Sequence, residues 1–206
     1  MQRYVRALWE GIWSGNETRR HRLARDGGDG ADEIFGGEGL NSLYGGDGDD
    51  YMRGGSAADT MWGGTGNDSL EGRQGENVLY GGDGNDEISG IGGMGISAAN
   101  TVFGGEGDDT VIGGNGNDIL NGDNGDDLIA AYGGLNIIYG GDGNDEISAS
   151  REANTIFGGQ GDDLIDGYGG GDRLFGGDGN DHLTGLGFID INPDPIITDW
   201  QTSDDG

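Results

Sequence analysis

An apolar residue recurs every nine residues through most of this chain, in units whose other positions are mainly glycine, acidic or amide residues. The clearest unit reads GGDGNDEIS, at residues 81–89 and again at residues 140–148. Set out in nines, the chain has seven units over residues 27–89, a five-residue insertion at residues 90–94 and ten units over residues 95–184. A strict period of this kind predicts a repeat architecture in which each unit packs against its neighbours.

Position 8 of the unit is apolar in all seventeen units and predicts the core. These residues are Ile34, Leu43, Met52, Met61, Leu70, Leu79, Ile88, Val102, Val111, Leu120, Ile129, Ile138, Ile147, Ile156, Ile165, Leu174 and Leu183. Because side chains alternate across a strand, positions 7–9 are interpreted as a short strand whose middle side chain points inward. Two units then complete a coil of 18 residues. The predicted fold is all-β, a right-handed parallel β-roll of two short parallel sheets over residues 27–184, with caps at residues 1–26 and 185–206.

The composition adds a requirement for counter-charge. Of 206 residues, 51 are glycine and 32% are hydrophobic, and 39 acidic residues against ten arginines and no lysine give a net charge of -29. Such values alone predict disorder, so an ordered roll needs something that neutralises the carboxylates. The acidity argues against nucleic acid as a partner. The absence of cysteine excludes disulfides, and no apolar run approaches the roughly 20 residues of a membrane span.

The two ends differ from the repeats. Residues 1–26 hold six of the ten arginines, and Val5, Leu8, Trp9, Ile12 and Trp13 fall at the spacing of a short amphipathic helix. A cap over the open end of the roll is one interpretation of this helix, and a membrane-surface or partner-binding helix is the alternative. Residues 185–206 contain apolar residues and two prolines before an acidic end, which is typical of a second cap.

The repeat GGxGxDxUx, in which U is apolar, resembles the RTX, or haemolysin-type calcium-binding, nonapeptide repeat over residues 27–184. The resemblance implies a parallel β-roll that folds on binding calcium. The chemistry agrees, because turns rich in carboxylate, amide and carbonyl oxygens suit a hard cation with six to eight oxygen ligands.

The resemblance also implies the ligands. In the family, position-6 aspartates of successive coils share each ion with turn carbonyl groups, which here implicates Asp32, Asp50, Asp68, Asp86, Asp109, Asp127, Asp145, Asp163 and Asp181. These nine belong to alternate units and define the aspartate edge of the roll. Positions 3 and 5 supply further candidate ligands, namely Asp29, Asp47, Asp83, Asp142, Asp178, Asn85 and Asn144. We expect one row of several calcium ions, on the order of eight between nine turns.

The intervening units are degraded, and their position-6 residues define the asparagine edge. These are Asn41, Asp59, Asn77, Asn100, Asp118, Asn136, Asn154 and Asp172. An isolated Asp118 between two asparagines cannot form a shared pair of carboxylates. We therefore expect this edge to be held mainly by asparagine and backbone hydrogen bonds.

Position 9 of the same units is aromatic in seven of eight cases, and these residues define the aromatic ladder: Tyr44, Trp62, Tyr80, Phe103, Tyr139, Phe157 and Phe175. Since position 8 points inward, position 9 points outward on one sheet. The ladder could bind a partner, whether a protein, a neutral glycan or a second copy, or the rings could stack on one another without a partner.

An enzyme is not expected. The two histidines, His21 and His182, provide neither an HExxH motif nor a Ser-His-Asp arrangement. A regular ice-binding array is not expected either, because only residues 64–68 read GTGND. The sequence predicts a non-catalytic calcium-binding protein, secreted or at the cell surface, and the resemblance implies export by type I secretion. The alternatives are an accessory or adhesin module that recognises polysaccharide and the detached RTX domain of a secreted enzyme or toxin.

Overall fold

The computed structural model describes residues 3–4, 23–92, 97–185 and 187–189. Every regular element among them is a β-strand, so this part of the chain contains no helix that could cross a membrane. The helix predicted from Val5 to Trp13 and most of the tail after Thr184 lie outside the described residues.

Twenty strands alternate between two sheets. The odd-numbered strands are β1 (Arg3–Tyr4), β3 (Asp32–Gly37), β5 (Tyr51–Gly55), β7 (Ser69–Arg73), β9 (Glu87–Ser89), β11 (Thr110–Ile112), β13 (Leu128–Ala130), β15 (Glu146–Ser148), β17 (Leu164–Asp166) and β19 (His182–Thr184). The even-numbered strands are β2 (Leu23–Asp29), β4 (Asn41–Asp47), β6 (Thr60–Thr65), β8 (Val78–Asp83), β10 (Thr101–Glu106), β12 (Ile119–Asn124), β14 (Ile137–Asp142), β16 (Thr155–Gln160), β18 (Asp172–Asp178) and β20 (Gly187–Ile189).

Each set of strands forms one parallel sheet in chain order, called here the odd sheet and the even sheet. Neighbouring strands pair at equivalent positions of the repeat. Thr60 lies opposite Val78 and Met61 opposite Leu79, an offset of 18 residues. The predicted parallel β-roll with two units per coil is therefore confirmed.

The core is a single aliphatic layer between the sheets. All seventeen position-8 side chains are buried, and the most exposed of them, Leu183, is only 6% exposed. Each coil contributes one such side chain from each sheet. Because the layer is thin, removing these chains from water is a smaller source of stability per residue than in a globular core, and the turns must contribute the remainder.

Strand lengths differ from the predicted three residues. From β9 onward the odd strands have three residues, whereas β6, β8, β10, β12, β14 and β16 have six. The longer strands run on into positions 1–3 of the following aspartate-edge unit, where Gly46 lies opposite Gly64 and Gly64 opposite Gly82. Gly82 has φ +126°, and a Cβ there would lie 2.1 Å from the carbonyl oxygen of Gly64. The position-2 glycine thus allows the ladder to continue around the turn.

The insertion leaves the register of the sheets unchanged. Thr101 pairs with Val78 across 23 residues, five more than elsewhere. Gly90 lies against the side chain of Asn100 as Gly72 lies against that of Asn77, so Gly90 occupies position 1 of this unit. The extra residues therefore lie between Gly90 and Asn100, within one turn of the asparagine edge.

Strand pairing also extends towards the N-terminus into the segment expected to be a cap. Leu23–Asp29 pairs with β4, which places Arg25 opposite Leu43, at position 8. The Nε atom of Arg25 is buried without a hydrogen-bond partner, and burial lowers the pKa of this guanidinium group. The column of apolar position-8 residues thus begins after Arg25.

Candidate metal centre and aromatic face

The aspartate edge is a continuous column of buried carboxylates. All nine position-6 aspartates are at most 4% exposed. In each of the eight steps, the backbone N–H of one aspartate donates to Oδ1 of the aspartate in the next coil, over 2.7–3.0 Å. This bond fixes the position of Oδ1 and directs Oδ2 into the turn.

The second oxygen of each carboxylate has no donor. Oδ2 of all nine residues is buried and accepts no hydrogen bond. It lies against the position-1 glycine, as at Gly81, where a Cβ would be 2.2 Å from Oδ2 of Asp86 and 2.5 Å from the carbonyl oxygen of Gly104. The glycine leaves room for a carboxylate oxygen beside main-chain oxygens. Such a group of acceptors without a donor is stable only with a cation or a proton among them.

The asparagine edge has the same backbone geometry and the opposite hydrogen-bonding character. The Nδ2 atom of Asn41 lies against Gly36 as Oδ2 of Asp50 lies against Gly45. That Nδ2 donates to the carbonyl oxygen of Gly39 over 3.0 Å and to Oδ1 of Asp59 over 2.8 Å. Asparagine therefore places a donor where the aspartate edge has an acceptor.

The pattern recurs along the asparagine edge. The Nδ2 atoms of Asn77, Asn100, Asn136 and Asn154 each donate to a turn carbonyl oxygen of their own unit and to Oδ1 of the next coil. Oδ2 of Asp59, Asp118 and Asp172 has no donor. These three carboxylates are separated from one another by asparagines, so no two of them are neighbours on this edge.

The electrostatics of the aspartate edge favour a cation. Burial is the main cause that raises the pKa of Asp68 to about 7, and repulsion from Asp86 and Asp50 acts in the same direction. The hydrogen bond from the backbone N–H of Asp50 opposes this rise. Burial likewise raises the pKa of Asp109 and Asp127 to about 7. Ionising these groups together is unfavourable until positive charge lies beside them.

The candidate ligands at positions 3 and 5 lie elsewhere in the turn. The side chains of Asp29, Asp47, Asp83, Asp142, Asp178, Asn85 and Asn144 are exposed. Those at position 5 form a second ladder, in which Oδ1 of Asn85 accepts from the backbone N–H of Asp108 in the next coil, over 3.1 Å. This ladder runs in the opposite direction to the position-6 ladder. Within the described ranges, no three acidic or histidine side chains converge on one point, so the turn's own carbonyl groups are needed as ligands.

The aromatic ladder lies on the outer face of the even sheet as two stacks. Tyr44, Trp62, Tyr80 and Phe103 form one, with ring centroids 4.5–5.7 Å apart and planes within 6° of parallel. Tyr139, Phe157 and Phe175 form the other, with centroids 4.7–5.1 Å apart. Asn121 separates the stacks. Stacking covers both faces of each interior ring, so those rings present mainly their edges outward.

The even sheet is also the uncharged face of an acidic molecule. Position 7 of the asparagine-edge units is occupied by Ser42, Thr60, Val78, Thr101, Ile119, Ile137, Thr155 and Arg173. Together with the position-9 residues, these sixteen side chains include no acidic residue. Ile119, Ile137, Tyr44 and Tyr139 are each about two-fifths exposed. An apolar surface of this kind is commonly a contact surface.

The odd sheet presents a paired charge network that the repeat pattern did not predict. Glu71 accepts from Nε of Arg53 over 3.1 Å and from Nε of Arg73 over 3.2 Å. The Tyr51 hydroxyl donates to Glu71 and accepts from Nη2 of Arg53. Arg53 also lies 5.6 Å from the ring centroid of Phe35. Both guanidinium groups are therefore already bound to a carboxylate.

Fold and site together define a parallel β-solenoid whose turns are built from glycine and cation-ligand residues. The sequence pattern of the RTX calcium-binding nonapeptide repeat matches residues 26–61, 62–93, 94–129, 121–156 and 148–183, about three quarters of the chain. The chain therefore belongs to this family of calcium-binding repeat proteins. No curated protein matches it.

Proposed function

We propose that this protein is a non-catalytic β-roll that folds on binding calcium outside the cell and then acts as a binding or assembly module. The observation that carries the proposal is the column of nine buried aspartates whose Oδ2 atoms have no donor. An acidic chain that directs unpaired carboxylate oxygens into its own turns needs cations to fold.

The position-6 aspartates would hold calcium between successive coils, with turn carbonyl groups completing the oxygen shell. Nine turns leave room for on the order of eight ions in one row. When bound, calcium supplies the positive charge that lets neighbouring carboxylates ionise together. The exposed residues at positions 3 and 5 would add negative potential around the row and would hold the turns in register.

The asparagine edge would need no such row. Each asparagine there already places an N–H where the aspartate edge has an unpaired oxygen. We infer that calcium binding orders one edge, while the other edge is held by side-chain amide hydrogen bonds.

The aromatic face of the even sheet would be the contact surface. Two copies of a chain with a net charge of -29 repel each other, and this face is where an approaching molecule meets no carboxylate from positions 7 and 9. A protein, a neutral glycan or a second copy could contact it.

Calcium-dependent folding would also suit export by type I secretion. Low cytoplasmic calcium would leave the acidic chain unfolded, and millimolar calcium outside the cell, typical of sites with weak affinity, would fold it.

The test is sedimentation velocity across a calcium titration, with circular dichroism on the same samples. The proposal predicts a cooperative change from an expanded to a compact β-rich particle. A compact chain in excess chelator at neutral pH would refute calcium-driven folding. A calcium-loaded dimer would identify the aromatic face as an assembly surface, and a compact monomer would leave it free for another partner.

A further inference from the structure

Two departures from the repeat occur side by side in one coil. Asn121 is the only non-aromatic residue at position 9 of the eight asparagine-edge units. Asp123 is the only residue other than glycine at position 2 of the nine aspartate-edge units. Nδ2 of Asn121 donates to Oδ1 of Asp123. The two substitutions thus form one polar pair.

Holding this pair needs an unusual backbone conformation. Asp123 has φ +75°, in the left-handed region that glycine adopts freely and other residues seldom do. Its side chain is consequently placed beside Asn121 on the outer face of the even sheet.

The pair forms the floor of a slot in the aromatic ladder. Asn121 lies opposite Phe103 in one neighbouring strand and opposite Tyr139 in the other. The two rings are therefore two strand spacings apart, about 9.6 Å. Each is the last ring of its stack, so each turns one uncovered face towards the gap. The gap has the height of one missing ring.

A flat ring fits this height. Placed midway, it would lie about 4.8 Å from each neighbour, within the range of the existing centroid separations of 4.5–5.7 Å. Aromatic rings favour such offset stacking. The exposed side chains of Ile119 and Ile137 border the gap at position 7 and extend its apolar wall.

The floor offers acceptors to that ring. The amide N–H of Asn121 is bonded to Asp123, which leaves the carbonyl oxygen of Asn121 and the second carboxylate oxygen of Asp123 to accept. An edge with an N–H or O–H would satisfy them, whereas a bare hydrocarbon edge would leave them without a partner.

We propose that the gap between Phe103 and Tyr139 is a binding slot for one aromatic ring with a hydrogen-bond donor on its edge, presented by a tryptophan or tyrosine side chain of a partner protein. The proposal rests on the aromatic face being a contact surface and specifies what that face recognises. The partner's ring completes the ladder, and Asn121 and Asp123 select a donor-bearing ring over phenylalanine.

Saturation-transfer NMR on the calcium-loaded full chain tests the slot, with the tripeptides Gly-Trp-Gly and Gly-Phe-Gly and with free indole as probes. We expect a signal from Gly-Trp-Gly several-fold stronger than that from Gly-Phe-Gly. Asn121→Phe, which fills the gap, should abolish it. Asp123→Gly, which restores the repeat and removes one acceptor, should reduce the preference for tryptophan.

Several results would overturn the proposal. These are no signal from Gly-Trp-Gly, an unchanged signal in Asn121→Phe, or equal signals from both tripeptides. Binding of indole with exclusion of Gly-Trp-Gly would show a small-molecule site instead, as would stronger binding of a methyl hexoside. The double variant Trp62→Ser/Tyr80→Ser separates this test from that of the whole face. It alters the four-ring stack away from the gap, so contact through the face can fail while dependence on Asn121 still decides the slot.

Discussion

The backbone N–H of Asp68 donates to Oδ1 of Asp86 over 2.7 Å, while Oδ2 of Asp86 is buried without a donor. The first oxygen aligns two coils, and the second is available to a cation. This division of roles recurs along the aspartate edge, and it makes the effect of each substitution there depend on which oxygen is lost.

Removing a position-6 carboxylate should raise the calcium concentration needed for folding. Asp86→Ala and Asp145→Ala each delete an aligning acceptor and a candidate ligand, at a cost to the calcium-loaded fold of about 2 kcal/mol. Calcium titrations followed by circular dichroism measure the shift in midpoint. Asp83→Ala, with the same change of charge at an exposed side chain, is the control and should change the midpoint little. Equal midpoints for Asp86→Ala and Asp83→Ala would contradict the assignment.

Exchanging aspartate for asparagine should have opposite effects on the two edges. Asp118→Asn supplies a donor in a turn where Oδ2 has none, and we expect about 1 kcal/mol of added stability at saturating calcium. Asp109→Asn makes the same chemical change on the aspartate edge and should raise the calcium midpoint. Thermal unfolding and calcium titration of both variants provide the measurement. Stabilisation by both, or by neither, would show that the edges do not differ as described.

The position-1 glycine should be essential where it adjoins a carboxylate. In Gly81→Ala the new Cβ would lie 2.2 Å from Oδ2 of Asp86 and 2.5 Å from a main-chain oxygen, so the turn must shift. We expect a loss of more than about 2 kcal/mol. Gly133→Ala is the matched control, because its Cβ would meet no atom closer than 3.4 Å. Equal unfolding midpoints in the two variants would be the contrary result.

Without calcium, acid should favour the fold. Burial raises the pKa of Asp68 and Asp163 to about 7 and that of Asp86 to about 6, while an unfolded aspartate titrates near about 3.9. A raised pKa in the folded state gives stability that is full below the unfolded value and is lost as the pH rises through the folded value. Circular dichroism in chelator should therefore show more β-structure at about pH 5 than at about pH 7.5. In limiting calcium, protons should instead compete with the ion, and the calcium midpoint should rise on acidification.

Shortening the aromatic ladder should separate contact from folding. Trp62→Ser with Tyr80→Ser removes two interior rings whose stacking contributes about 0.5–1.5 kcal/mol per pair. The thermal midpoint should fall, whereas the calcium midpoint should change little because no turn ligand is altered. Self-association or partner binding, measured by sedimentation, should weaken. Loss of calcium-dependent folding in this variant would make the ladder a structural element.

Much of the fold follows from the period alone. A residue such as Ile88 at position 8 of an unbroken repeat has to be buried, and the 18-residue offset between Thr60 and Val78 follows from two units per coil. The place of the aromatic residues on one sheet follows from the same alternation. These features depend on side-chain periodicity, which the sequence states directly.

Other features depend on backbone geometry and were not predicted. Arg25 occupies a position-8 site, although its charge gives no sign of a core position. The opposite directions of the position-5 and position-6 ladders depend on which N–H faces which oxygen. The equivalence of Nδ2 in Asn41 and Oδ2 in Asp50 becomes visible only when both are seen against their glycines.

The turn between Gly90 and Asn100 holds five more residues than its neighbours, yet Thr101 and Val78 resume the register. A change of length at the asparagine edge is thus confined to one turn. That edge is a site where foreign loops could be grafted for display, at spacings set in advance by the choice of coil, while the opposite edge continues to respond to calcium.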